Sequence, residues 1–149
     1  MSTATTNGAS APASQPPSDP SSLPPEALDL ASKLFDFARS GDTTSLPQYL
    51  DAGIPPNLTN HEGNTLLMLA AYNGHAPLVS LLLSKGADAN VLNGRGQSPL
   101  AGAVFKGYDE VVKVLTEAGA DVRLGQPSAV DCARMFKRED ALRLMGVSD

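Results

Sequence analysis

The stretch whose reading decides the fold runs from Asn64 to Asn90, NTLLMLAAYNGHAPLVSLLLSKGADAN. It is apolar enough to form a buried core, yet Tyr72, His75 and Lys85 interrupt it at regular places. That pattern could mean a histidine set among catalytic partners, or it could mean architecture. The glycines decide. Gly53, Gly86 and Gly119 are spaced by 33, and so are Gly41, Gly74 and Gly107. The words around them recur as well: LDAGIPPN, LSKGADAN and TEAGADVR in one series, ARSGD, AYNGH and FKGYD in the other. Two glycine series sharing one period mark an internal repeat.

Each repeat has the same physical content. An apolar helical pattern such as TLLMLAAYNG ends at a glycine, the residue that best tolerates the left-handed conformation after a helix. A second pattern, APLVSLLLSKG, places Leu78, Leu81 and Leu82 on one side at helical spacing and ends at Gly86. A turn-rich connector, ADANVLNGRGQS, follows, and Ser98-Pro99 opens the next helix as N-cap and first helical residue. Two short helices and a projecting turn cannot close a core alone, whereas stacked neighbours can. The expected fold class is therefore all-α, a solenoid of stacked helix-turn-helix units with projecting hairpin-like fingers.

These residues resemble the ankyrin repeat, whose mark is T-P-L-H-x-A at a 33-residue period. Thr65-Leu66-Leu67-Met68-Leu69-Ala70 and Ser98-Pro99-Leu100-Ala101-Gly102-Ala103 occupy that motif, and NGH at 73–75 and GADAN at 86–90 follow the family pattern. The resemblance covers about Glu26 to Met145. The motif histidine is replaced by Met68 and Ala101, which removes its usual hydrogen bond to the preceding hydroxyl. The expected units are 26–57, 58–90, 91–123 and 124–149, about 3.5–4 repeats, with degenerate units at both ends. Ser128 aligns with Ser98 at a spacing of 30, so the last connector is three residues shorter.

Composition narrows the function. Of the 149 residues 42% are apolar and 5% aromatic, with no Trp, so the core must be built from Leu, Val and Ala. A net charge of −5 argues against general affinity for phosphate backbones, and no nucleic-acid role is expected. No apolar run approaches the roughly 18–20 residues of a membrane span. A single cysteine, Cys132, excludes an internal disulfide framework and fits a reducing compartment. Residues 1–25 are a Ser/Thr/Ala/Pro-rich tail whose only charge is Asp19, expected to be disordered. The tail has neither the basic start nor the apolar stretch of a secretory leader. A cytoplasmic location is the expectation, with the nucleus left open.

Candidate chemistry is sparse. His75 sits just after the first helix of its unit, where Tyr108 stands in the next repeat, and a structural role is expected. His61 lies in a connector and could touch a partner, but two His and one Cys are too few for the roughly four ligands of a zinc site. Cys132 has no histidine in its own unit to activate it. The loop NGRGQS at 93–98 lacks both the P-loop and the dinucleotide-binding glycine spacing. Asn57-Leu58-Thr59 is a glycosylation sequon that should stay unmodified without a secretory leader. The ankyrin resemblance also implies that Asn90, with Asp88 two before it, is a possible hydroxylation site.

What remains is a surface. Repeat alignment stacks Arg39, Tyr72, Phe105 and Met135 in one column at the end of each first helix, with Ser40, Asn73, Lys106 and Phe136 beside it. By resemblance this helix end and the finger tips line one concave side. The fingers add His61, Glu62, Asn64, Arg95, Gln97 and Arg123, and Arg134 and Lys137 raise the positive charge of this side. The expectation is a monomeric, non-enzymatic module without cofactor or metal that binds a partner protein on this face. Two alternatives remain at this point: an inhibitory regulator that covers an enzyme, and an enzyme using Cys132 or His61.

Overall fold

The computed structural model describes residues 25–147. The tail expected at residues 1–25 lies, but for Pro25, outside the described residues, as do residues 148 and 149. Among the described residues eight helices follow one another: α1 Pro25–Ser40, α2 Leu46–Asp51, α3 Leu66–Tyr72, α4 Ala76–Ser84, α5 Pro99–Lys106, α6 Asp109–Glu117, α7 Ala129–Met135 and α8 Glu139–Leu144. Each odd-numbered helix packs against the even-numbered helix that follows it. The odd helices stack in the order α1, α3, α5, α7 as an inner layer, while α4, α6 and α8 stack behind them.

The stacking follows from columns of apolar side chains. Leu34, Leu67, Leu100 and Val130 form one buried column in the inner layer, and Leu46, Val79, Val112 and Leu142 form another in the outer layer. Each column steps by 33, 33 and 30 residues. Ala70, Ala103 and Ala133, all completely buried, let neighbouring inner helices approach closely. Every unit therefore buries its apolar stripes against its neighbours and owns no core by itself.

Caps set where the inner helices begin. The hydroxyls of Thr65, Ser98 and Ser128 accept hydrogen bonds from the backbone N–H of Met68, Ala101 and Asp131 at 3.0–3.1 Å. Losing the motif histidine thus leaves the cap intact, because the bond that starts the helix goes to backbone. At Ser128 the exchange is reciprocal, since the Asp131 carboxylate accepts from the Ser128 N–H.

The connectors are coupled from unit to unit. Asn60 Oδ1 accepts from the N–H of Glu62 and Asn64, and Asn93 Oδ1 accepts from those of Arg95 and Gln97, which closes both finger turns. The hairpin-like character of the fingers rests on the backbone bonds Asn60 N–H to Asn64 O and Asn93 N–H to Gln97 O, both 3.0 Å, with an antiparallel bridge between Thr59 and Thr65 in the first. Neighbouring fingers are joined by Gly94 N–H to Glu62 O at 2.9 Å and Gln126 N–H to Gly96 O at 3.0 Å. Among the described residues no helix is long and apolar enough to cross a membrane.

Candidate functional site

The fingers and the inner helices line shared grooves, and that geometry builds the candidate surface. Tyr72 closes α3, Phe105 stands in the last turn of α5, Met135 closes α7, and Phe136 follows as its C-cap. Their exposures are 42%, 45%, 61% and 46%, so none of them serves as core between repeats. All four line a groove of about 360 Å³ floored by Met68, Ala101, Gly102 and Cys132. Among the described residues, Leu92 is the one other large apolar side chain that is exposed.

The fold holds these rings in place. A Cβ on Gly102 would stand 3.0 Å from Tyr72 Cδ1, so the absence of a side chain there lets the Tyr72 ring lie over α5. Phe105 and Phe136 meet edge to face at 5.3 Å between centroids, a favoured aromatic geometry. Lys106 Nζ stands 5.1 Å from the centre of the Tyr72 ring, within cation–π range. A second, more polar groove of about 630 Å³ adjoins the first and shares Met68, Tyr72 and Gln97 with it. Its other walls include His61, Glu62, Asn64 and Arg95 from the fingers. Asn93 Nδ2 bridges Asn64 Oδ1 and Gln97 Oε1, both at 2.9 Å, which orients those two amides.

Not every residue of the expected surface joins the grooves. Arg39 pairs with Asp36 at 2.8 Å and lines a separate small depression with Leu28, Phe35 and His61. Asn73 spends its amide on the Leu69 carbonyl of its own helix at 2.7 Å. Met68, Ala101 and Gly102 were not distinguishable from packing positions by sequence pattern, although they form the groove floor. Replacement of the motif histidine by Met68 and Ala101 was the one signal pointing to them.

The remaining candidates have structural partners. His75 Nε2 lies 2.6 Å from the Arg39 carbonyl, and its ring covers Gly41 of the preceding unit. Tyr108 covers Gly74 and Arg138 covers Gly107 in the same manner, with Arg138 donating to the Phe105 carbonyl at 3.1 Å. Asn90 is exposed, and its Oδ1 accepts from the Asp121 N–H at 2.8 Å, as Asn57 Oδ1 accepts from the Asp88 N–H one unit earlier. Burial, with the Asp131 charge next in weight, raises the Cys132 thiol above its ordinary range, which disfavours the nucleophilic thiolate. The Asp131 carboxyl is held below its usual range by the Ser128 backbone N–H first, then the Ser128 hydroxyl, with smaller contributions from Arg134 and Arg123. Among the described residues no group of three His, Cys, Asp or Glu side chains is placed to hold a metal ion.

Comparison with known proteins bears on the stack as a whole. The family model for ankyrin repeats in three copies matches residues 34–125, more than half of the chain. An ankyrin repeat protein of Pseudomonas aeruginosa is 52% identical over 56 residues, covering 38% of this chain and 33% of that protein. A crystal structure of an ankyrin repeat domain from Acinetobacter baumannii superposes with a TM-score of 0.70 at 25% identity, covering 77% of this chain and 64% of that one. The match thus spans about a third of the curated relative's length and just under two thirds of the structural neighbour's.

Proposed function

The chain belongs to the ankyrin repeat family, whose repeats are protein–protein interaction modules, and from that premise we propose that it binds a partner protein segment in the groove between Tyr72, Phe105, Met135 and Phe136. The reading takes the protein as a monomeric, non-enzymatic binder. One observation carries it: four of the five exposed large apolar side chains among the described residues line this one groove. Clustered exposed apolar and aromatic side chains mark interaction sites on folded proteins. Rings already held by Gly102, Lys106 and each other lose little freedom on binding, so less of the contact energy is spent on ordering. Covering an enzyme partner would be one consequence of such binding, and no feature of the groove favours it over others.

The test is the double substitution Tyr72→Ala with Phe105→Ala. Truncating central aromatic anchors at an interface commonly costs about 2 kcal/mol or more each in binding. Loss of buried core aromatics would instead cost about 3–5 kcal/mol each in stability. The expected result is a protein that unfolds at a slightly lower denaturant midpoint and no longer retains partners captured by the wild type from its source cells. Retention equal to wild type, with the fold intact, removes the groove as the binding site.

A further inference from the structure

The charges around the groove are sorted in a way that the total charge of the chain conceals. The two central inner helices, α3 and α5, contain no carboxylate at all. Six acids stand on the outer layer, Asp51 on α2, Asp109, Glu110 and Glu117 on α6, and Glu139 and Asp140 on α8, while Asp29 and Asp36 of the inner layer stand on α1, outside the two central units. Cations stand at the concave side instead. Arg95 lines the finger groove, Lys106 stands over Tyr72, and Arg123 and Arg134 lie close enough to Asp131 to favour its ionised form.

Two of the carboxylates on this side have local partners. Asp131 accepts from the Ser128 N–H at 3.1 Å, and Glu62 Oε1 from Asn64 Nδ2 at 3.4 Å. A segment entering the groove therefore meets apolar walls with a predominantly positive rim. Such a rim steers acidic segments toward the site and disfavours basic ones.

We infer that the segment held in this groove is acidic and apolar: a large aliphatic or aromatic side chain seated among Tyr72, Phe105 and Phe136, flanked by Asp or Glu that meet Lys106 and Arg95. The inference rests on the groove being the protein-binding site proposed above. A peptide is favoured over a nucleic acid because the floor of Met68, Ala101 and Cys132 suits an inserted alkyl or aryl group. The acidic outer layer, moreover, repels a long polyanion.

The experiment uses the full chain and three pools of fluorescein-labelled 12-residue peptides. All pools carry Leu or Phe at the same positions, separated by Asp/Glu, by Asn/Gln or by Lys/Arg. A labelled single-stranded 12-base oligonucleotide is included. Fluorescence anisotropy in low salt should show the acidic pool binding at least about tenfold more tightly than the neutral pool, with the basic pool weakest. The gap should close as added salt shortens the screening length. Lys106→Gln with Arg95→Gln should cost the acidic pool at least about tenfold more affinity than it costs the neutral pool, with circular dichroism unchanged, and equal losses for the two pools overturn the charge preference.

Equal binding of acidic and neutral pools, both abolished by Tyr72→Ala with Phe105→Ala, overturns the charge preference and leaves the groove reading standing. Binding of any pool that survives that double substitution overturns the groove itself, as does no binding by any pool. Oligonucleotide binding as tight as that of the acidic peptides also overturns the inference.

Discussion

Lys137 shows how far a single residue can depart from the repeat and still obey it. Gly41, Gly74 and Gly107 end the first helix of their units with φ between 77° and 80°, and Lys137, 30 residues after Gly107, takes φ 54° in the same place. A side chain in this left-handed region costs about 1–2 kcal/mol. Part of that is offset by the greater unfolded-state freedom of glycine. Lys137→Gly should therefore stabilise the protein by about 0.5–1 kcal/mol, read as a higher urea midpoint with unchanged slope. A lower midpoint would mean that the lysine side chain contributes more than its backbone costs. The glycine register was legible in sequence because the need for positive φ restricts residue choice so strongly. Lys137 was reachable only through the shortened last connector. What Asn73 does was not legible at all, because a side chain turned back on its own helix leaves no mark in spacing.

Elements begin where their caps dictate, and one cap is titratable. Ser98-Pro99 was readable as a helix start because a hydroxyl followed by proline suits the N-cap and first helical position, and α5 begins there. The cap of α7 adds an ionised partner, Asp131, whose carboxyl is held below its ordinary range chiefly by the Ser128 backbone N–H. A folded-state pKa below the unfolded value of about 3.9 contributes stability that is fully present above that value and lost as pH falls through the folded one. Asp131→Asn keeps an acceptor in place but removes the charge. Wild type should accordingly exceed the variant in melting temperature above about pH 5, with the difference shrinking as pH falls below the unfolded value and the carboxylate takes up its proton. A difference that stays constant across that range would assign the effect to something other than ionisation of Asp131.

At the scale of the molecule, the groove is assembled from three units. Tyr72 belongs to the α3 unit, Phe105 to the α5 unit, and Met135 and Phe136 to the terminal α7–α8 unit. The column was legible because a fixed period carries equivalent positions to equivalent places. Its floor was not, because Ala101, Gly102 and Cys132 look in sequence like any small residues of packed helices. Repeat stacks are held together by nearest-neighbour interfaces, so a terminal unit with one neighbour opens more readily than a central one.

That asymmetry makes the proposed binding surface depend on its least supported part. In the terminal unit, Leu142 of α8 is 7% exposed and continues the buried outer column of Leu46, Val79 and Val112. Leu142→Ala should cost about 2–4 kcal/mol of local packing. Hydrogen exchange should then quicken in α7 and α8 while α3 and α4 keep their protection. Affinity for any segment bound in the groove should fall by the fraction of molecules with the terminal unit open, although no groove side chain has been changed. Uniformly faster exchange across all eight helices would instead show that the stack opens as one cooperative body. In that case the terminal unit could not act as a separately opening wall of the groove.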